Sequence, residues 1–315
     1  MTTRKKNKYI GITLGDPSGI GPEVVAKALA DPAIRKLGSF KLIGDHWVYR
    51  KYCLNNYRNC SFVDLKSIQP KQWKIGKPNL ASAKASLNAL QEGVDLLKSK
   101  AIDGLVTAPL SKEPISRILP SFQGHTEFLA DAFGIKNVGM MFVAGKVRTI
   151  IVTRHIPLNQ VCKAVNPANI YDTIDLTHRA LRNLFKIKKP VIGVCGVNPH
   201  AGEEGTMGRE EITKVIPAIK KARRRKMNVE GPFAADTLFS PDIAHHYDAI
   251  VAMYHDQGLI PVKTLCFKEL VNLTIGLPFI RTSPAHGTAF NIAGAHKADP
   301  SSMHAAIKLA VELIL

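Results

Sequence analysis

Long apolar runs, paired cysteines and clustered aromatics are all scarce in this chain of 315 residues. The first apolar stretch, Tyr9 to Leu14, is six residues long and stops at Gly15-Asp-Pro17. No window approaches the ~20 apolar residues that a membrane helix needs. The amino terminus is basic, but no apolar core of a signal peptide follows it. Cysteines fall at 53, 60, 162, 195 and 266, an odd number without a Cys-x-x-Cys pair. That excludes a disulfide scaffold and a thiolate zinc site, and it predicts reduced thiols in a cytoplasm, buried as small hydrophobes. Aromatic residues, at 7%, offer no evident platform for stacking bases. There is no Gly-x-Gly-x-x-Gly fingerprint with its later acidic partner, and no Walker lysine. Acidic residues are also short: 25 against 43 Lys+Arg leave a formal charge of +18. Such a charge attracts anions, whether a phosphorylated metabolite, a dinucleotide, nucleic acid or an anionic surface.

What remains is ordinary globular composition, 45% hydrophobic and 22% charged. A chain of this length carries a prior of roughly two domains, with one large unit equally allowed. Short apolar runs alternate with amphipathic helices, the pattern of an α/β fold with a largely parallel sheet. Strands are expected at 9–14, 40–43, 104–107, 138–143, 147–153, 191–195, 249–254 and 271–275. The pair at 138–143 and 147–153, joined by Ala144-Gly-Lys146, reads as a hairpin and makes the sheet mixed. One helix is capped by Asn79 and repeats Leu80, Ala83, Leu87, Leu90, Val94 and Leu97 on one face. A second opens at Asn166-Pro167 and runs through Ile170, Ile174, Thr177, Leu181 and Leu184. A third opens at Asp299-Pro300 and carries Met303, Ile307, Ala310 and Ile314. No internal repeat, polar linker or compositional break separates domains.

Three histidines have a distinctive setting. His155 follows the run 147–154, His200 follows 191–199, and His255 follows 249–254, each just past the C-terminal end of an apolar strand. In open α/β sheets that edge is where ligands bind, so three imidazoles delivered there can converge on one point. Three neutral imidazoles with an open fourth position make a catalytic zinc arrangement, and the same set accepts other divalent ions. Each histidine taken singly reads better as a satisfied loop or core residue than as a ligand. Separations of 45 and 55 residues exclude a local finger motif.

Other turns concentrate polar groups. Gly15-Asp-Pro-Ser-Gly-Ile-Gly-Pro-Glu23 links the first strand to a helix with Pro22 in its first turn, where free N–H groups suit an anion. Gly202 to Gly208 forms a loop entering a helix from Arg209. Gly124-His-Thr-Glu127 opens another helix. Asp236 reads either as a helix cap or as a partner for a ligating histidine. Lys263, Asn272 and Arg281 bring an ammonium, an amide and a guanidinium near His255 in sequence, a set suited to carboxylate or phosphate. Surface lysine and structural arginine are the plain alternatives.

Together the motifs Gly15–Glu23, Gly124–Phe128, Asn198–Gly202, Ala235–Phe239, Met253–Gly258, Gly276–Ser283 and His286–Ala289 occur in the order seen in a known family. They resemble the 4-hydroxythreonine-4-phosphate dehydrogenases of pyridoxal 5′-phosphate biosynthesis, from residue 11 to about 310. The resemblance implies an isocitrate/isopropylmalate dehydrogenase-like fold: two α/β/α domains with mixed, mostly parallel sheets around a cleft, completed by a homodimer. The expected division is 1–130 plus 285–315 for the first domain and 131–284 for the second, which carries the dimer interface, with the active site in the cleft. The family's metal ligands correspond to His155, His200 and His255, for zinc, magnesium or cobalt. Its substrate contacts correspond to His125, Thr126, Lys263, Asn272 and Arg281, and an NAD or NADP cofactor is implied without a Rossmann motif. Some members carry an acidic residue before the final His-Gly-Thr, where this chain has Ala285.

The activity so implied is oxidation of the C3 hydroxyl of 4-phosphooxy-L-threonine. Hydride leaves to NAD(P)+, the ion polarises the hydroxyl, and the β-keto acid product loses carbon dioxide. Lys263 and Asp236 are the candidates for accepting the alcohol proton. A related phosphorylated acid, 4-phospho-D-threonate or 4-phospho-D-erythronate, is the alternative substrate. A basic nucleic-acid-binding protein is the rival of another class, prompted by the run Lys220-Lys-Ala-Arg-Arg-Arg-Lys226. No recognition motif accompanies that run, and cations at a helix end also complement its dipole.

Overall fold

The structure, a computed structural model, describes residues 8–314, so the basic residues 1–7 lie outside it. Eleven strands occur among the described residues: β1 (Tyr9–Thr13), β2 (Ser39–Gly44), β3 (Cys60–Asp64), β4 (Gly104–Thr107), β5 (Gly139–Ala144), β6 (Val147–Ile151), β7 (Val191–Cys195), β8 (Asn228–Phe233), β9 (Ala249–Ala252), β10 (Val271–Ile275) and β11 (Ile280–Pro284). The principal helices are α1 (Gly21–Ala30), α2 (Leu80–Lys98), α3 (His125–Ala132), α4 (Pro167–Asn183), α5 (Ile216–Arg224), α6 (His255–Cys266) and α7 (Ser301–Ile314). The chain divides into two compact units, one reaching to Lys136 and resuming at Leu277, the other Asn137–Gly276. Residues 277–284 group with the first unit, not with the second as the sequence suggests, because β11 pairs in parallel with β4.

In the first unit the strands run β3-β2-β1-β4-β11, all parallel. Helices cover both faces. Leu105 packs in a cluster with Leu90, Val94 and Leu97 of α2. Its neighbour Gly104 points the other way, where an added Cβ would stand 2.5 Å from Ile314 of α7. Successive strand residues face opposite sides, so α2 and α7 sandwich the sheet. The caps are those the sequence predicts. Asn79 Oδ1 accepts from Ser82 N at 2.9 Å while Ser82 Oγ accepts from Asn79 N at 3.0 Å, a reciprocal arrangement that satisfies a donor at the open helix end. Leu80, expected on the buried stripe, is 54% exposed. The buried face turns instead through Ser82 and Ser86, and the Ser86 hydroxyl is satisfied by donating to the Ser82 carbonyl one turn back.

In the second unit the order is β10-β5-β6-β9-β7-β8. The predicted hairpin β5–β6 is antiparallel, as is β10–β5, and the remaining pairs are parallel. This sheet is also covered on both sides. An added Cβ at Gly139 would meet Ile150 and Leu176 of α4, whereas one at Gly258 of α6 would meet Thr149 and Ile151. Asn166 Oδ1 caps α4, accepting from Ala168 N and Asn169 N at 3.0 Å each. Full burial of Ile150, Ile170, Ile174 and Leu181 contributes about 1.5–3 kcal/mol per side chain.

Three strands were not expected from the sequence, and each has a physical reason. β3 and β8 are end strands of their units' sheets, where Pro232 is tolerated and half-exposed residues break the apolar run. β11, Ile-Arg-Thr-Ser-Pro, is wholly buried yet mostly polar. All five cysteines are free, but only Cys53 and Cys195 are buried. Cys162 is exposed on a short helix, contrary to the expectation that all five pack inside. The basic run ends α5, where Arg223 donates to the Val229 carbonyl and the Lys221 ammonium sits 3.8 Å from the centre of the Tyr171 ring. No helix among the described residues is long and apolar enough to cross a membrane.

Candidate active site

The strand order explains why the three histidines belong to one place. β6, β9 and β7 are adjacent and parallel, so their C-terminal ends lie on one sheet edge, and His155, His255 and His200 follow those ends in the chain. The His155 and His255 rings have centroids 5.6 Å apart. His255 is the first residue of α6, and its Nδ1 lies 2.6 Å from Asp256 Oδ1. His200 behaves differently. It opens a run of five residues, His200 to Glu204, all with positive φ between 42° and 82°. Four of these are not glycine, and left-handed backbone costs such residues roughly 1–2 kcal/mol each.

A buried carboxylate holds this turn. Glu211, 2% exposed, accepts from Val197 N at 2.7 Å, Asn198 N at 2.8 Å and Asn198 Nδ2 at 2.9 Å. Gly202 closes against it, where an added Cβ would stand 2.5 Å from Glu211 Oε2. The exposed His200 Nδ1 lies 2.6 Å from Glu203 Oε1. That hydrogen bond, then the Glu203 charge and more weakly Asp236, raise its pKa above the ordinary value of 6.5, against slight desolvation.

The expected three-histidine ion site is therefore only half assembled. Backbone topology puts all three at one edge and two rings adjoin. Among the described residues, however, no group of three His, Cys, Asp or Glu is placed to hold an ion. His200 is turned onto Glu203 instead. Asp236 is exposed, accepts locally from Thr237 N at 2.9 Å, and lies within electrostatic reach of His200. Lys263 is half-buried on α6, two turns beyond His255. Asn272 stands opposite Phe142 on β10, and its Oδ1 is buried without a hydrogen-bond partner among the described residues.

The first unit holds a second polar cluster. Arg281, on β11, is 2% exposed. Its Nε and Nη2 donate to Thr107 Oγ1, at the end of the adjacent β4, at 3.2 and 2.6 Å. Burial pulls its pKa down to about 10, opposed by the Glu127 carboxylate, so it stays charged near neutral pH. His125 is the first residue of α3 and Thr126, 2% exposed, the second. Burial first, then the Arg281 and Lys112 charges, hold His125 well below its ordinary pKa of 6.5. It is a neutral imidazole beside a buried guanidinium and the open N-terminus of a helix, an arrangement that favours an anion.

The Gly15 turn has its own structural reason. Gly15 takes φ +70°, and an added Cβ would stand 2.2 Å from the Pro109 carbonyl oxygen. The turn leaves Asp16 Oδ2 and Ser18 Oγ buried and unpartnered among the described residues, and burial raises the Asp16 pKa.

Sequence reasoning did not single out Thr107, Lys112 or Glu211. The first two follow the rule that found the histidines, since both lie at or after the C-terminal end of β4. Glu211 carried no signal, because a glutamate near a helix start reads as solvated.

Known proteins similar to this chain fall in one family. The chain is 40% identical over 322 residues to a 4-hydroxythreonine-4-phosphate dehydrogenase of Desulforapulum autotrophicum, covering 96% of this chain and 94% of that one. It is 41% identical over 325 residues to a D-threonate 4-phosphate dehydrogenase of Cupriavidus necator, covering 96% of each. The crystal structure of 4-hydroxythreonine-4-phosphate dehydrogenase from Klebsiella pneumoniae superposes with a TM-score of 0.87 at 34% identity, over 98% of this chain and all of that one. An isocitrate dehydrogenase from Methylococcus capsulatus shares the fold alone, at 12% identity and a TM-score of 0.50 over 94% of this chain and 83% of that one. Residues 27–310 match the family described as pyridoxal phosphate biosynthetic protein PdxA. The chain belongs to that PdxA family.

Proposed function

We propose that this protein oxidises the C3 hydroxyl of 4-phosphooxy-L-threonine with NAD or NADP. The product, 2-amino-3-oxo-4-phosphooxybutanoate, decarboxylates to 3-amino-2-oxopropyl phosphate. The observation that carries the reading is the buried Arg281 guanidinium beside neutral His125 and the start of α3, in a chain whose relatives are named for phosphorylated four-carbon substrates. Arg281, His125 and Thr126 bind the phosphate end. Lys263 and Asn272, whose Oδ1 lacks a partner among the described residues, bind the remaining polar groups. Fixing both ends holds C3 in one orientation toward the nicotinamide, which lowers the entropic part of the barrier. Lys263 or Asp236 takes the alcohol proton.

His155, His200 and His255 are the residues that would hold a divalent ion, zinc, magnesium or cobalt. Such an ion supplies electrophilic polarisation of the hydroxyl. In support, the three leave one edge of three adjacent parallel strands. The homodimer expected of the family is supported by exposed apolar side chains in the second unit, Leu158, Ile260, Leu265 and Phe267 among them. The five free cysteines fit a reducing cytoplasm.

The test is reduction of NAD+ and NADP+ by the purified protein with 4-phosphooxy-L-threonine, 4-phospho-D-threonate and 4-phospho-D-erythronate side by side. The first compound is expected to give the highest kcat/KM. A clear preference for 4-phospho-D-threonate would establish the second reading, which the Cupriavidus relative favours. Full activity after exhaustive chelation, or in a His200→Ala variant, would remove the metal from the proposal.

A further inference from the structure

The turn that follows β4, Ala108-Pro-Leu-Ser-Lys112, brings one more cation to the start of α3. Gly124 precedes the helix with φ 154°. A Cβ added there would stand 3.2 Å from Lys112 Cε and 3.3 Å from its Nζ, with Glu127 Oε2 also at 3.3 Å. The ammonium thus lies over the first turn of the helix, and among the described residues it makes no hydrogen bond or ion pair.

A cation there is badly placed for stability alone. The open N–H groups of the first turn already carry about half a positive charge. Arg281 and Lys112 act on His125 in the same direction. Glu127 offsets one of the two cations. One net positive charge remains, beside a helix start and an imidazole held neutral. Local conflicts of this kind mark functional sites, and this one is relieved by an anion.

We propose that Lys112 is a further arm of this cradle and binds the phosphate monoester of the substrate directly. Its ammonium closes on the oxygens from the solvent side, and Gly124 stays a glycine to leave it room. The division of labour follows from the side chains. Arg281, buried and held by Thr107, is a fixed fork, whereas Lys112, exposed at the start of a short helix, is a flexible point charge that moves onto the ligand. The inference rests on reading the first-unit cluster as the phosphate end of the substrate site.

Inorganic phosphate titrated calorimetrically into the purified full-length protein tests it without cofactor or turnover. Lys112→Gln is expected to weaken phosphate binding about tenfold to hundredfold, the effect of one charge-assisted hydrogen bond. Lys112→Arg keeps the charge and should recover most of the affinity. In turnover, Lys112→Gln should raise KM for 4-phosphooxy-L-threonine by a similar factor, and by clearly more than it raises KM for unphosphorylated 4-hydroxy-L-threonine. Unaltered phosphate affinity in Lys112→Gln, or no phosphate binding by the wild type, overturns the assignment. So does an equal loss toward the phosphorylated and unphosphorylated compounds, which is the mark of a distorted fold. Phosphate binding that depends on Lys112 in a protein inactive on 4-phosphooxy-L-threonine would uphold the cradle and reject the proposed substrate.

Discussion

Replacing Thr107 with valine isolates what a single hydroxyl does for the buried guanidinium. Valine keeps the branched shape of threonine but puts a methyl group where the hydroxyl was, so the change at the end of β4 is one of polarity more than of shape. Arg281 loses the acceptor that its Nε and Nη2 share at 3.2 and 2.6 Å. At 2% exposure water replaces that acceptor poorly. A hydrogen bond to a charged group is worth about 1.5–3 kcal/mol, and stranding a buried charge completely costs about 3–5 kcal/mol. Arg281 retains a further interaction and the attraction of Glu127, so the loss should be about 2–3 kcal/mol. At roughly 2–4 °C per kcal/mol for a chain of this order of size, that is a fall in Tm of about 4–12 °C.

Thermal melting of Thr107→Val against Thr107→Ser measures it, since serine keeps the oxygen and gives up only a methyl. Phosphate supplies the missing acceptor, so it should raise the Tm of the valine variant by more than that of the wild type. The kcat/KM of the valine variant should fall chiefly through KM, because a guanidinium free to rotate no longer presents its fork to the ligand. A valine variant that melts with the wild type and keeps its KM would refute the reasoning, and would mean that Arg281 is held by its other neighbours.

Two further outcomes follow from the same structure. His125 has a folded pKa below the unfolded value of 6.5, so as pH falls below about 6.5 the unfolded chain takes up a proton that the folded one refuses. Stability conferred by the neutral imidazole is therefore complete at neutral pH and is lost on acidification, by at most about 1.4 kcal/mol per pH unit; denaturant melts of His125→Asn between pH 5 and 7 should lack this component, and an unchanged pH slope would exclude it. Glu211→Ala strands two backbone donors before the left-handed turn, Val197 N and Asn198 N, while Asn198 Nδ2 keeps Glu210, and should cost about 2–4 kcal/mol, read by urea unfolding, whereas a loss below about 1 kcal/mol would mean that the turn is held by other groups.

Much of the fold was legible because it depends on local rules. The caps at Asn79 and Asn166, the hairpin around Gly145, and the strands 104–107, 191–195 and 271–275 all come from patterns within a dozen residues. The misses come from context that a single segment does not contain. Ile-Arg-Thr-Ser-Pro at 280–284 is polar in sequence and fully buried in the fold, because Arg281 finds Thr107, 174 residues away. Cys162 is apolar by residue type and exposed by position. Nothing short of the packed chain gives either result.

The candidate site divides along the same line. That His155, His200 and His255 share a sheet edge was readable, since each follows a strand and the strands prove adjacent and parallel. Whether their side chains meet was not, because orientation is set after the strand ends, by groups such as Glu203 and Glu211. His200 sits at the start of five left-handed residues, a backbone that no propensity favours and that a buried carboxylate holds. The placement of these three histidines is therefore specified at two levels, by a topology that delivers three imidazoles to one edge and by a strained turn that directs the third onto Glu203. Only the first level follows from a pattern of strands. The second depends on Glu211, a residue whose type and position suggest nothing until its three donors are counted.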